Sequence, residues 1–353
     1  RHPSRGPRFQ SRMRRSPLHD IHVRLGARFV DFGGWEMPVQ YESVLEEHRS
    51  VRRAVGVFDV SHLGRLEVTG PHGTAVLRDL FTNDVTKYEP GKTHYTMLLN
   101  EDGGIIDDIV VWRWDEHVYW VMPNAANSDR VRDTLSEHGA DVVDLRPTTA
   151  LLAVQGPGAP RLLEELFGSA PARFRTLEAG GVRMAGTGYT GERGGELCLP
   201  NEQAESVLEQ VLEAGAVPCG LGSRDTLRLE AGLALWGSDI DETTTPLEAG
   251  LDFAVDWGHD FPGKRALEAQ RDTGPSRRLT GLVLEGRGIP RHGYSVRCGE
   301  STGAVTSGNI SPELDTGIAL AYLAPPVEVG EHAEVEIRGR WVPARVAAPP
   351  FHR

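Results

Sequence analysis

Residues 95–122 read Tyr-Thr-Met-Leu-Leu-Asn-Glu-Asp-Gly-Gly-Ile-Ile-Asp-Asp-Ile-Val-Val-Trp-Arg-Trp-Asp-Glu-His-Val-Tyr-Trp-Val-Met. Two runs rich in β-branched and aromatic residues flank the turn signal Asn100-Glu-Asp-Gly-Gly104. That pattern predicts an antiparallel hairpin over 95–99 and 105–114. A third strand, Val118–Met122, follows across Asp115-Glu116. Upstream, residues 42–55 read as a helix, acidic at the start (Glu42, Glu46, Glu47) and basic at the end (Arg49, Arg52, Arg53), an order that suits the helix dipole. Gly56 stops it. Leu66–Thr69 reads as a strand, Gly70-Pro71 as a turn, and Val76, Leu77, Leu80 and Phe81 recur at helical spacing. Downstream, a strand over 150–154 ends at Gln155-Gly-Pro-Gly158. Residues 201–214 form the clearest helix, with Asn201 as expected N-cap and Gly215 past its end. A further helix is expected from Ser223. Short helices interleaved with antiparallel strands indicate an α+β fold. After a linker at Asp272-Thr-Gly-Pro-Ser276, six short strands predict a small barrel or sandwich.

The chain has 353 residues, 39% hydrophobic and 25% charged, with a formal charge of −12. No apolar run approaches the ~18 residues of a membrane span. Net acidity argues against bulk binding of nucleic acid, though a local basic pocket for a small anion is compatible with it. Lysine occurs only at Lys87, Lys92 and Lys264, a bias we ascribe to coding composition. Cys198, Cys219 and Cys298 form no CxxC pair and are expected to be core fillers in a reducing compartment. Residues 1–15 carry six arginines and no acid. They read as a transit peptide or as an over-extended start with Met13 the initiator, and are expected to be a tail outside the fold.

Gly186-Thr-Gly-Tyr-Thr-Gly191 satisfies G-x-G-x-x-G, but a strand-like Glu196-Leu-Cys-Leu-Pro200 follows it instead of a helix. A dinucleotide loop needs that helix. Asp107 and Asp108 interrupt an apolar strand and point to opposite faces: Asp108 with Ile106, Val110 and Trp112, Asp107 with Ile105, Ile109 and Val111. An isolated carboxylate there costs several kcal/mol unless bonded or neutralised. Two readings follow: a bulge or capping of backbone amides, or a carboxylate aimed at a ligand in an apolar pocket with its pKa raised. Glu196 presents either a solvated strand end or a two-oxygen acceptor for a planar ligand edge. Arg224 either holds a ligand carboxylate or pairs with Asp225 or Glu230. Buried tyrosine with a satisfied hydroxyl is the default for Tyr95 and Tyr189. His62 reads as a hydrogen-bonded turn histidine or a site residue. His19-x-x-His22 has no cysteine or HExxH partner, so no metal is expected.

Eight strings carry a further reading. Asp31-Phe-Gly-Gly-Trp-Glu-Met-Pro38, Gly56-Val-Phe-Asp-Val-Ser-His62, Asn100-Glu-Asp-Gly-Gly-Ile-Ile-Asp-Asp108 and Asn124-Ala-Ala-Asn127 come first. Gly188-Tyr-Thr-Gly-Glu192 with Glu196, Gly220-Leu-Gly-Ser-Arg-Asp225, Arg228-Leu-Glu-Ala-Gly232 and Thr306-Ser-Gly-Asn-Ile-Ser-Pro312 follow in order. Together they resemble the T-protein of the glycine cleavage system, an aminomethyltransferase, over nearly the whole chain. The resemblance implies two intertwined ferredoxin-like α+β domains within 16–272 and a C-terminal β-barrel over 277–353, a cloverleaf around a central folate cavity. It implies transfer of a one-carbon unit from the aminomethylated lipoyl arm of H-protein to tetrahydrofolate, the acceptor substrate. The products are 5,10-methylenetetrahydrofolate, ammonia and dihydrolipoyl H-protein. Asp108 matches the family's catalytic aspartate and Glu196 the glutamate that binds the pterin; Tyr95, Asn124, Tyr189 and Arg224 match other folate-cavity positions. Asp107 fits as a supporting residue with no assigned role. Phe253, Leu63 and His352 depart from residues common in relatives, respectively tryptophan, methionine and tyrosine. Glycine catabolism in a bacterial cytoplasm is the expected setting, or the mitochondrial matrix under the transit-peptide reading. The alternative within the family is a folate-dependent demethylase acting on a small sulfonium or methylamine.

Overall fold

The computed structural model describes residues 13–352; the remainder of the arginine-rich start lies outside the described residues. Arg14–Arg15, expected to belong to a tail, instead pair in parallel with Trp35 and Glu36. Two bonds tie them there: the Arg14 amide donates to the Gly34 carbonyl at 2.8 Å, and the Arg15 Nε to Glu36 Oε2 at 2.8 Å.

Two sheets form the larger part of the molecule. A five-stranded sheet runs Thr93–Leu99, Ile105–Asp115, Val118–Met122, Leu66–Thr69, Asp141–Asp144. A six-stranded sheet runs Thr176–Ala179, Val182–Ala185, Gly194–Pro200, Thr149–Gln155, Gly56–Asp59, Val217–Pro218. The whole five-stranded sheet lies in sequence between two neighbouring strands of the six-stranded one, Gly56–Asp59 and Thr149–Gln155. The two α+β units are thus interleaved along the chain. Helices Gly70–Leu80 and Ser128–Glu137 cover one sheet through Val76, Leu77, Leu80, Val131 and Leu135. Ala159–Phe167 and Asn201–Glu213 cover the other through Leu162, Leu163, Ala204, Val207 and Val211. The opposite faces of both sheets meet in a shared core of Phe58, Leu151, Ala153, Trp112 and Trp120, closed by Leu227.

Residues 278–347 close into a six-stranded antiparallel barrel in the order Arg278–Leu284, Thr316–Ala324, Ser301–Ser311, Ser295–Cys298, His332–Ile337, Arg340–Ala347. Closure removes sheet edges. Helix Leu221–Ala231 joins it to the rest: Arg228 donates to Ser307 Oγ at 2.8 Å and to Asp239 Oδ2 at 2.7 Å, and Tyr322 donates to the Asp239 carbonyl at 2.9 Å.

Local expectations meet three corrections. Gly70-Pro71 opens helix Gly70–Leu80 and is no free-standing turn, because proline costs nothing in a first helical turn whose N–H groups have no partner. Asn201 is not the N-cap of Asn201–Glu213; Pro200 is, and the Asn201 amide donates to the Pro147 carbonyl. The helix expected from Ser223 begins at Leu221 with Gly220 as cap, Ser223 bonding back to the Gly220 carbonyl within the first turn.

Candidate functional site

The central strand Ile105–Asp115 positions the acids. Asp107 faces Leu98 across the ladder and Asp108 faces Met97, so the two alternate across the sheet. A bulge at 98/99 displaces Ile106 toward the helix-covered core, away from the Asp108 face where parity alone puts it. Val110 and Trp112 keep the expected side and pack toward the second sheet. Pairing of Val110 with Met122 brings Asn124, two residues beyond that strand, alongside both acids.

Asp108 is half-buried. Its Oδ2 accepts from the Tyr95 hydroxyl at 2.9 Å, and its Oδ1 from the Asn124 amide at 2.8 Å. Among the described residues no cation pairs with it. Burial pushes its carboxyl above the ordinary carboxylate range, against the two donors that pull it down. Asp107 is fully buried and accepts three bonds: Asn124 N at 3.0 Å, Asn124 Nδ2 at 2.8 Å and Asn127 Nδ2 at 2.8 Å. Burial, then the charge on Asp108, pushes it well up. Burial also raises the Tyr95 hydroxyl far above its usual value, which keeps it a donor. Phe253, 72% exposed, stacks on Tyr95 with ring centroids 5.9 Å apart.

The second group comes from the six-stranded sheet and the helix beside it. Glu196 lies between Ala153 and Ala185 in the ladder, is 8% exposed, and accepts from Thr187 Oγ1 at 2.6 Å. It is a buried acceptor, not a solvated strand end. The G-x-G-x-x-G loop turns directly into strand Gly194–Pro200, so it is no dinucleotide loop. Gln155 staples it, donating to the Thr187 carbonyl and accepting from Thr190 Oγ1. The loop presents Tyr189, whose hydroxyl donates to the Ala234 carbonyl at 2.5 Å.

Arg224 stands in the first turn of Leu221–Ala231, its guanidinium 5.0 Å over the Tyr189 ring. Asp225 pairs with Arg228, and Glu230 with His48 and Arg52, so neither takes Arg224. Its Nη1 is buried without a hydrogen-bond partner. Tyr189 lies near enough to Tyr95, Asp108 and Arg224 to feel each electrostatically, which makes the two groups one site.

One contributor, Asn127, escaped sequence reasoning; a second, His62, was left open there between a turn histidine and a site residue. Asn127 stands at the N-cap position of helix Ser128–Glu137, yet its side chain makes no cap bond and goes to Asp107. His62 is 2% exposed with Nδ1 unpartnered; burial, then Arg224, holds it down at about 3, so it is a neutral imidazole. The signal for Asn127 was its spacing from Asn124; for His62 it was a polar residue inside a compact turn.

All three cysteines are buried, with thiols pushed up by burial. No group of three or more metal-ligating side chains occurs among the described residues, and none of their helices is long and apolar enough to cross a membrane. The tail packs against the end of helix Leu221–Ala231 and the glycine loop: Phe351 N donates to the Glu230 carbonyl, and His352 lies 4.0 Å from Glu192. Two grooves at the barrel, lined by residues such as Arg287 and Arg338, share no lining residue with this site.

A half-buried carboxylate with no counter-cation can accept a proton or face a developing positive charge. An opposing buried carboxylate and an unsatisfied guanidinium can bind a ligand that carries both N–H donors and an anionic or carbonyl oxygen.

Comparisons with known proteins bear on what that ligand is. Residues 18–259 match the family described as the GCVT N-terminal domain, and residues 277–352 the glycine cleavage T-protein C-terminal barrel domain. The chain is 44% identical to an aminomethyltransferase of Symbiobacterium thermophilum, over 97% of this chain and 98% of that protein. It is 47% identical to one of Rubrobacter xylanophilus, over 97% and 95%. A solved structure, glycine cleavage system aminomethyltransferase T from Bartonella henselae, superposes with a TM-score of 0.90 at 33% identity, covering 96% of this chain and 98% of that one.

Proposed function

The chain belongs to the glycine cleavage T-protein family of aminomethyltransferases, and we propose that it carries a one-carbon unit from an aminomethylated lipoyl arm to tetrahydrofolate. The donor is the lipoylated H-protein. The C–N bond to ammonia and the C–S bond to the arm break, and two C–N bonds to the folate form. The products are ammonia, dihydrolipoyl H-protein and 5,10-methylenetetrahydrofolate.

One observation supports the reading above others: a carboxylate, Asp108, held by Tyr95 and Asn124 and free of any cation among the described residues. Expelling ammonia leaves an electron-poor carbon. A fixed negative charge in a partly apolar pocket lowers the energy of that state more than water does, because it needs no reorganisation. The same carboxylate accepts the proton that the folate amine sheds on bond formation. Burial, which pushes its carboxyl above the ordinary carboxylate range, strengthens it as an acceptor for that proton. In this reading Glu196 accepts the adjacent N–H donors of the pterin edge, and Arg224 gives its unsatisfied Nη1 to a folate oxygen. Tyr95 and Tyr189 furnish aromatic walls, Tyr95 backed by Phe253.

The test is ammonia release from aminomethylated H-protein, with and without tetrahydrofolate. Release is expected to be fast only when the folate is present. No release with both substrates supplied, or demethylation of a sulfonium compound with H-protein omitted, would replace this reading with the other.

A further inference from the structure

Asp107 has no part in the chemistry just described, yet it is the most completely bonded acid in the site. Its carboxyl accepts three N–H groups, two from Asn124 and one from Asn127. Asn127 stands at the cap position of helix Ser128–Glu137 and leaves the helix without a side-chain cap in order to reach it. The Asn124 Nδ2 is the hinge of the arrangement. It lies 2.8 Å from Asp107 Oδ1 and 2.8 Å from Asp108 Oδ1, so its two protons serve two carboxyls.

We propose that Asp107 is a positioning residue for the one-carbon transfer: it locks Asn124 against Asp108 and carries the one proton that two acids on a single amide require. The inference rests on the proposed function for its effect on rate, and on geometry alone for its proton. Two carboxylates this close without a cation do not both ionise readily. The surrounding charged and titratable groups are Tyr95 from the neighbouring strand, Tyr189 from the loop, and Arg130 from helix Ser128–Glu137. Arg130 is taken up by Glu242 at 2.6 Å. A protonated carboxyl keeps three acceptor lone pairs and one O–H. Asp107 receives three donors, as many as those lone pairs take; the donors favour its ionised form, but it is the fully buried member of the pair, where a charge costs more than on half-buried Asp108. The negative charge then belongs to Asp108, the half-buried member that faces the ligand. The pair titrates as a unit, not as two separate acids.

The experiment uses the full chain and two variants. Asp107→Asn sets an amide N–H₂ against one of the N–H donors. It is expected to lower kcat about tenfold or more while the dissociation constant for tetrahydrofolate stays within about threefold, the pattern of a lost transition-state contact. Asn127→Ala keeps both acids, removes one donor, and is expected to lower kcat by a smaller factor in the same direction. Infrared difference spectra at pH 6, wild type minus Asp107→Asn, are expected to show a protonated carboxyl band. Unchanged kcat in Asp107→Asn, parallel loss of kcat and folate affinity, or absence of the band would each overturn the proposal. The band is read without any turnover, so it decides whether the pair holds a proton even if H-protein proves not to be the donor; a failed ammonia assay of the wild type counts against the function alone.

Discussion

Asp108 and Glu196 are both buried or half-buried acids at the same site, and their surroundings separate their roles. Asp108 has two donors and an open side; Glu196 has one donor, Thr187, and an orphaned guanidinium nearby. Replacing Asp108 by Asn keeps the shape but removes the charge and one of the two acceptor oxygens. Turnover is expected to fall by about 10²-fold or more, with tetrahydrofolate still bound, since general-base and electrostatic contributions are of that size. Replacing Glu196 by Ala is expected to do the reverse. Folate affinity weakens by ~1.5–3 kcal/mol through a lost charge-assisted bond, with a smaller effect on saturated turnover. Stopped-flow turnover and equilibrium fluorescence titration separate the two; equal turnover in Asp108→Asn removes it from the mechanism. Both acids were visible in the sequence as carboxylates among apolar strand residues. Arg224 was not decidable there, because its candidate partners Asp225 and Glu230 are committed elsewhere only in three dimensions.

Among the elements, the loop between Val182–Ala185 and Gly194–Pro200 has the clearest structural requirement. A Cβ on Gly188 would lie 1.9 Å from Gln155 Oε1, and Gln155 is itself fully buried and bonded to both sides of the loop. Gly188→Ala is therefore expected to displace the staple and loosen Tyr189 and Glu196. The predicted result is a loss of folate affinity by about tenfold and a destabilisation of ~1–3 kcal/mol, the cost of overpacking. Calorimetric binding and denaturant unfolding check both; wild-type values in each would show that Gln155 gives way freely. The glycines of this loop satisfy a nucleotide-binding pattern by spelling alone. What they serve is close approach to a side chain, and the following strand, legible in the sequence, already set them apart from a phosphate loop.

At the scale of the whole molecule, a buried cluster joins three parts of the chain. Glu230 on helix Leu221–Ala231 accepts from His48 at 3.0 Å and Arg52 at 3.0 Å on helix Val44–Arg53, and from Ser311 of the barrel. Burial pushes the Glu230 carboxyl up, but His48, Ser311 and Arg52 outweigh it and hold it at about 2. A carboxyl depressed in the folded state stabilises the fold above its unfolded value, ~4.3, and that stability is lost as pH falls toward the folded value. Unfolding free energy measured from pH 7 to pH 3 is expected to drop more steeply in wild type than in Glu230→Gln, which is less stable at pH 7. Parallel curves would show that the cluster does not couple barrel to helices.

The sequence alone determined the α+β class, the hairpin and its third strand, the barrel strands, and the family, because these depend on local periodicity, turn residues and ordered strings. It also marked Asp108 and Glu196, since a carboxylate in an apolar strand is anomalous wherever the strand goes. Tertiary structure decided which charges are spent on one another. Arg228 takes Asp225 and Asp239, Arg52 takes Glu230, and Arg224 is left with a buried, unpartnered Nη1. It likewise turned the Asn127 side chain onto Asp107. Ion pairs and buried amide bonds are settled by distances of a few ångströms between segments far apart in the chain, and no local pattern encodes those distances.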